Sequence, residues 1–201
     1  MPPHSPERRA SLILNKLSAL TLTPEHLQLI GAFVVAYGLF ETGLEPGLLA
    51  LANTNVRGMG SKDQFKLLAA GHWSFSEKAN AVMCVAGQAA GDICEYRNSL
   101  VHGYLMAIPG GTPAFMKNPA WNAAIVKKGR DAGDAYADIA QLHLALDAAW
   151  TLSTLVRRAQ KAALDSAAQA SIEALEDDVN NAKSCAGELR HLRALMNREK
   201  Y

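Results

Sequence analysis

The stretch "EKANAVMCVAGQAAGDICEYRNSLVH", residues 77–102, decides the fold. Val82, Val85, Ala86, Ala89, Ile93, Tyr96 and Leu100 recur at three- and four-residue intervals, the period of one buried helix face. Ser74 and Glu77 make the Ser-x-x-Glu pattern that caps a helix start. Gly103 follows the last periodic residue, where a left-handed terminating residue is expected. The end of this helix carries Arg97, Asn98 and His102: a permanent cation, an amide and a titratable base.

Helical patterns continue on both sides. Residues 6–20 read as a short amphipathic helix. Thr23, followed by Pro24 and Glu25, caps a second helix running to about Phe40 or Asn53, with Pro46-Gly47 expected to kink or end it. "TNVRGMG", 54–60, reads as a loop, and Ser61 with Gln64 as a capping box for a helix over 62–70. After Gly103 the period changes. "YLMAI" and "AFM" flank the turn sequence "PGGT" and predict a hairpin, with "AAIVKK" as a third strand. Asp131, Asp134 and Asp138 then open a fifth helix, where acids favour the dipole. Metal ligation is the lesser reading of these three. In the last forty residues Leu175, Val179, Ala182, Ala186, Leu189 and Met196 form a face that could pack on the fifth helix or on a partner subunit. Arg190, Arg193, Arg198 and Lys200 follow a run of acids and read as solvated surface. The expected fold is therefore mainly α: a helical bundle with a small β-hairpin insertion and a long C-terminal helix. Residues 1–160 form the domain, and residues 161–201 a helical extension.

Composition narrows the partners. Hydrophobic residues are 49% of the 201, enough for a real core, and the formal charge is +1, so no general basic field attracts nucleic acid. Any polyanion site must be local. The 3 cysteines, Cys84, Cys94 and Cys185, have no metal-ligand spacing and read as reduced thiols in a cytoplasmic protein. The N-terminus lacks a signal-peptide pattern, and the apolar run "LIGAFVVAYGLF", 29–40, falls short of the ~20 residues a bilayer span needs. No membrane association is expected. Trp73, Trp121 and Trp150 read as packing residues, and His72, His143 and His191 as isolated structural or surface histidines.

Arg97, Asn98 and His102 suit RNA chemistry. Asn98 and His102 lie four apart on one face, and Glu95, seven before His102, joins that stripe. Arg97 projects more than a quarter turn away, but its long fork can reach in front of the imidazole. A ribose 2′-hydroxyl attacks the adjacent phosphorus once its proton is taken, which an imidazole of pKa near 6.5 can do at neutral pH. A planar guanidinium binds the phosphorane oxygens, and no metal or other cofactor is required. One segment supplies one histidine, whereas the reaction needs both an acid and a base. A two-fold dimer would bring two together.

"RNSLVHG" resembles the Arg-x(4–6)-His motif of the HEPN superfamily, in its Arg-Asn-x-x-x-His form followed by glycine. The likeness extends more loosely over residues 30–160, where "GLFETGLEPGLLAL" is similar to a glutamate-bearing helix preceding the motif; the last forty residues add nothing to it. The resemblance implies an α-helical domain acting as a metal-independent endoribonuclease. Such domains occur in toxin–antitoxin pairs, abortive-infection systems and RNA-targeting CRISPR effectors. It implies Arg97 and His102 as catalytic, Asn98 as their polar partner, and as partners RNA, a second copy and a cognate antitoxin. Glu41, Asp92 and Glu95 are supporting acids: Arg97 is expected to pair with Glu41 or Asp92, for catalysis or for stability alone. Two other readings stand beside it. One is a HEPN-like module without catalysis that binds RNA, nucleotide or a protein. The other is a helical scaffold assembled through its C-terminal helix.

Overall fold

The computed structural model describes residues 5–52, 56–106, 111–116 and 134–198. Its helices are α1 (Pro6–Ser18), α2 (Pro24–Ala52), α3 (Ser61–Ala70), α4 (Glu77–His102), α5 (Ile139–Leu164), a short α6 (Ala170–Glu173) and α7 (Glu176–Arg198), with a 3₁₀ turn at Ser166–Gln169. Three short strands, β1 (Tyr104–Met106), β2 (Ala114–Met116) and β3 (Ala135–Tyr136), form an antiparallel sheet in sequential order. The fold is thus mainly α with a small hairpin, as the periodicity predicts.

α4 is the central element, because it packs on both α3 and α7. Val82, Ala86, Ala89, Ile93, Tyr96 and Leu100 are all buried, and Val85 is half-buried. Its cap differs from the expected one. Ser76, not Ser74, accepts from the backbone N–H of Ala79. Asn80 is the cause: its amide donates to the carbonyls of Trp73, Phe75 and Ser76 and its oxygen accepts from Trp73 N–H, which curls the preceding loop. At the other end Gly103 has φ −73°, extended rather than left-handed. Glycine is needed there for space, since a Cβ would lie 2.4 Å from the Ser99 carbonyl oxygen and 3.1 Å from Phe115 Cβ.

The second main pairing is α2 on α5. Thr23 caps α2 as expected, its hydroxyl accepting from His26 N–H at 3.3 Å and lying 2.7 Å from His26 Nδ1. α2 runs on to Ala52, the longer of the two expected ends, and Pro46 does not end it. Gly43 and Gly47 let α5 approach closely, with Val156 at 3.4 and 3.1 Å from the positions of absent Cβ atoms. Gln160 adds a 2.9 Å hydrogen bond to the Gly43 carbonyl beside the proline. This length leaves the membrane expectation undecided. Pro24–Leu51 and Ile139–Leu164 are both long and apolar enough to cross a bilayer by length and composition, a test that the core helix of a soluble bundle also meets.

Other expectations shift locally. Gly60, not Ser61, caps α3, and Gln64 donates to the Met59 carbonyl instead of closing a capping box. Asp138 caps α5 through Ala140 N–H, whereas Asp134 is buried ahead of β3 and residues 135–136 are strand rather than helix. Asp131, "AAIVKK" and Trp121 lie outside the described residues. Trp73 is buried, but Trp150 is 51% exposed with Arg157 stacked over its ring. The face Leu175, Val179, Ala182, Ala186, Leu189 and Met196 is buried within the chain, α7 packing on both α4 and α5. The 160/161 boundary falls inside α5, and one buried cluster runs from Leu29 to Leu189.

Candidate functional site

Arg97 lies one turn and a half before the end of α4, and α2 runs beside it. Its Nη2 is 3.6 Å from Glu41 Oε2, and the two side chains are 26% and 29% exposed. The expected pairing with Glu41 is therefore present, and Asp92 is not the partner. Arg97 Nη1 donates to Asn98 Oδ1 at 3.0 Å, and the guanidinium sits 5.6 Å from the centre of the buried Tyr37 ring. A half-exposed ion pair contributes at most about 1 kcal/mol, and a cation over a ring a similar amount. Together these contacts hold the guanidinium in one orientation and leave part of it open to solvent.

Asn98 completes this arrangement. Its Oδ1 is taken by Arg97, and its Nδ2 lies 3.6 Å from Cys94 Sγ. It therefore orients the arginine, one of the two residues whose polar partner it was expected to be. Burial pushes the Cys94 thiol above its ordinary range, which disfavours its thiolate. Burial likewise drives the Tyr37 phenol far above its usual range, leaving a neutral ring under the cation. His102 is the last residue of α4, half-buried, just ahead of Gly103 and β1.

The other two acids belong to a different contact. Glu95 Oε2 accepts from Arg193 Nη1 of α7 at 2.9 Å, and Glu95 Oε1 is 3.7 Å from Lys62 Nζ at the start of α3. Asp92 pairs with Arg190 at 3.4 Å. The shared stripe of Glu95, Asn98 and His102 holds for the helix positions, but the Glu95 carboxylate turns toward α7. Arg193, expected in solvent, is 8% exposed. The sequence gives no sign of this, because its burial comes from α7 lying along α4.

Arg193→Met is expected to lower stability by about 2 kcal/mol, less than a fully buried pair because Glu95 remains one-third exposed. Thermal unfolding checks it, with a Tm loss of several degrees expected. Asp92 supplies a pH effect. Desolvation raises its pKa, and Arg190 only partly opposes this. The folded state then holds the proton more tightly than the unfolded chain, so this group's contribution falls as pH rises from the ordinary carboxylate range through the raised value. In Asp92→Asn that slope should vanish, read by denaturant unfolding across the acid range.

Among the described residues no three His, Cys, Asp or Glu side chains cluster in a way that could hold a metal ion. No family model matches this sequence, and neither a curated protein nor a solved structure matches it.

Proposed function

We propose that this chain is an endoribonuclease of the HEPN kind, in which His102 moves the proton of a ribose 2′-hydroxyl and Arg97 steadies the phosphorane. The observation that carries the reading is the restrained, partly exposed Arg97 guanidinium on the same helix end as His102. A guanidinium already oriented loses little freedom on gripping two phosphate oxygens. Glu41 and Asn98 act by positioning it, and the chemistry asks for no metal. The 2′-hydroxyl proton goes to an imidazole, the 2′-oxygen bonds to phosphorus, and the 5′-oxygen leaves with a proton. Two such steps need two proton carriers, which a second copy would supply. A toxin or defence role, with a cognate antitoxin, follows from the same resemblance.

The same contacts favour a second reading, since an arginine bound to Glu41, Asn98 and Tyr37 also serves a bundle that binds RNA, nucleotide or protein without cutting. Arg97→Lys separates the two. Lysine keeps the charge and loses the planar fork. Purified protein and single-stranded RNA are incubated in EDTA. A nuclease should lose about tenfold to a hundredfold in rate, with RNA still bound. RNA bound equally by both proteins, and cut by neither, leaves the binding module.

A further inference from the structure

We propose that α1 is an exchange arm that packs on the outer face of α2 in a second copy of this chain. α1 has no buried residue and packs substantially on no other described element. Yet it is strongly two-faced: Ala10, Ile13, Leu14 and Leu17 share one side by helical spacing, and Ile13 is 56% exposed. α2 presents the matching surface. Gly31, Ala32, Val35, Leu39, Pro46 and Leu49 all face outward, Val35 at 64% exposure. A Cβ on Gly31 or Gly38 would meet nothing within 4 Å, so another helix backbone has room to come close.

Charge selects between occupants. α2 carries Glu25, Glu41 and Glu45 and not one lysine or arginine, while α1 carries Arg8, Arg9 and Lys16 against Glu7. Lys16 flanks the apolar side of α1 and Glu45 the outer stripe of α2, while Glu41, one turn before Glu45, is held by Arg97. Glu45 is in none of the ion pairs among the described residues. An anionic lipid surface would be attracted to α1 but repelled by the acids along α2, so a protein partner with the opposite pattern fits better. α1 is that pattern.

The arm reaches a second copy rather than its own α2. Leu22 is buried and Thr23 is locked to His26, which holds the chain's entry into α2. Thr21, just before, sits at φ +67°, a left-handed conformation disfavoured for a β-branched residue, and ahead of it α1 buries no residue against the described bundle. Folding back would undo that entry. Reciprocal exchange between two copies keeps it and buries both faces.

The test uses the full chain in sedimentation equilibrium, with Ile13→Lys/Leu17→Lys on α1 and Val35→Lys/Leu39→Lys on α2, and circular dichroism to check folding. The wild type should dimerise, and each double variant should raise the dissociation constant at least about tenfold. If one variant misfolds, the other still decides. Ile13→Cys chains mixed with differently tagged Val35→Cys chains should form a mixed disulfide beyond the background of wild-type cysteines. A monomer at all concentrations overturns the proposal. So does a dimer indifferent to the α1 variant, or a disulfide formed only within one chain carrying both substitutions. So does a monomer that sediments with phosphatidylglycerol vesicles, which would assign the face to lipid. None of these readouts depends on RNA cleavage.

Discussion

His102→Ala is expected to reduce RNA cleavage at least ~100-fold, the low end of what a positioned proton carrier contributes. The fold should survive. The residue ends α4 and is only half-buried, so its loss removes no core side chain. Its dipole contact at the negative end of a helix is worth about 0.3–1 kcal/mol when charged. Tm should therefore fall by no more than ~4 °C. Initial rates on a labelled RNA, measured beside a melting curve, read both quantities. A large rate loss with an intact melt marks a chemical role. An unchanged rate removes His102 from the mechanism, and a collapsed melt would assign it to structure.

Gly87→Leu should have the largest effect on stability. Gly87 lies where α3 crosses α4, and a Cβ there would come within 2.6 Å of Ala69 N and 2.7 Å of the Phe65 carbonyl oxygen. Those are backbone atoms, which cannot rotate away as the end of a side chain would. The helices must separate or α3 must leave. Overpacking of this kind costs about 3 kcal/mol, and a chain this long should then lose roughly 6–12 °C of Tm. Because α3 brings Lys62 to Glu95, loosening it should also weaken that contact. Gly91, on the same helix with nothing within 4 Å of its Cβ position, is the control, and Gly91→Ala should be neutral or slightly stabilising. Equal losses at both positions would contradict the tight crossing.

The helices were readable because local information specifies them. α4 announced itself through seven apolar residues at one spacing, and α7 through its Leu175–Met196 face. Ends were harder. Ser74 and Ser76 are both N-cap residue types, only Ser74 has the glutamate three residues on, and the side chain of Asn80, reaching back seven residues, decides for Ser76. The third strand is two residues long and carries no period at all.

At the candidate site, the pairing of Arg97 with Glu41 was one of the two anticipated, because a partly buried carboxylate is stabilised by a cation beside it. The partners of Asp92 and Glu95 could not. Arg190 and Arg193 are almost a hundred residues away, on a helix whose charge pattern looks like any solvated surface. Which way Glu95 turns depends on where α7 lies, and that is settled by packing rather than by local spacing. The same limit hid the outward apolar side of α2, since a helix rich in leucine, valine and glycine looks equally apolar all round.

The central claim is that the end of α4 promotes attack by a ribose 2′-hydroxyl on its own phosphodiester. The most direct measurement compares two oligonucleotides incubated with wild-type protein in EDTA: one all RNA, the other with 2′-deoxy sugars, with product ends identified by mass. The account predicts cleavage of the RNA to 2′,3′-cyclic phosphate ends and an untouched deoxy strand. Cleavage of both, or RNA products bearing only 5′-phosphates, would contradict it.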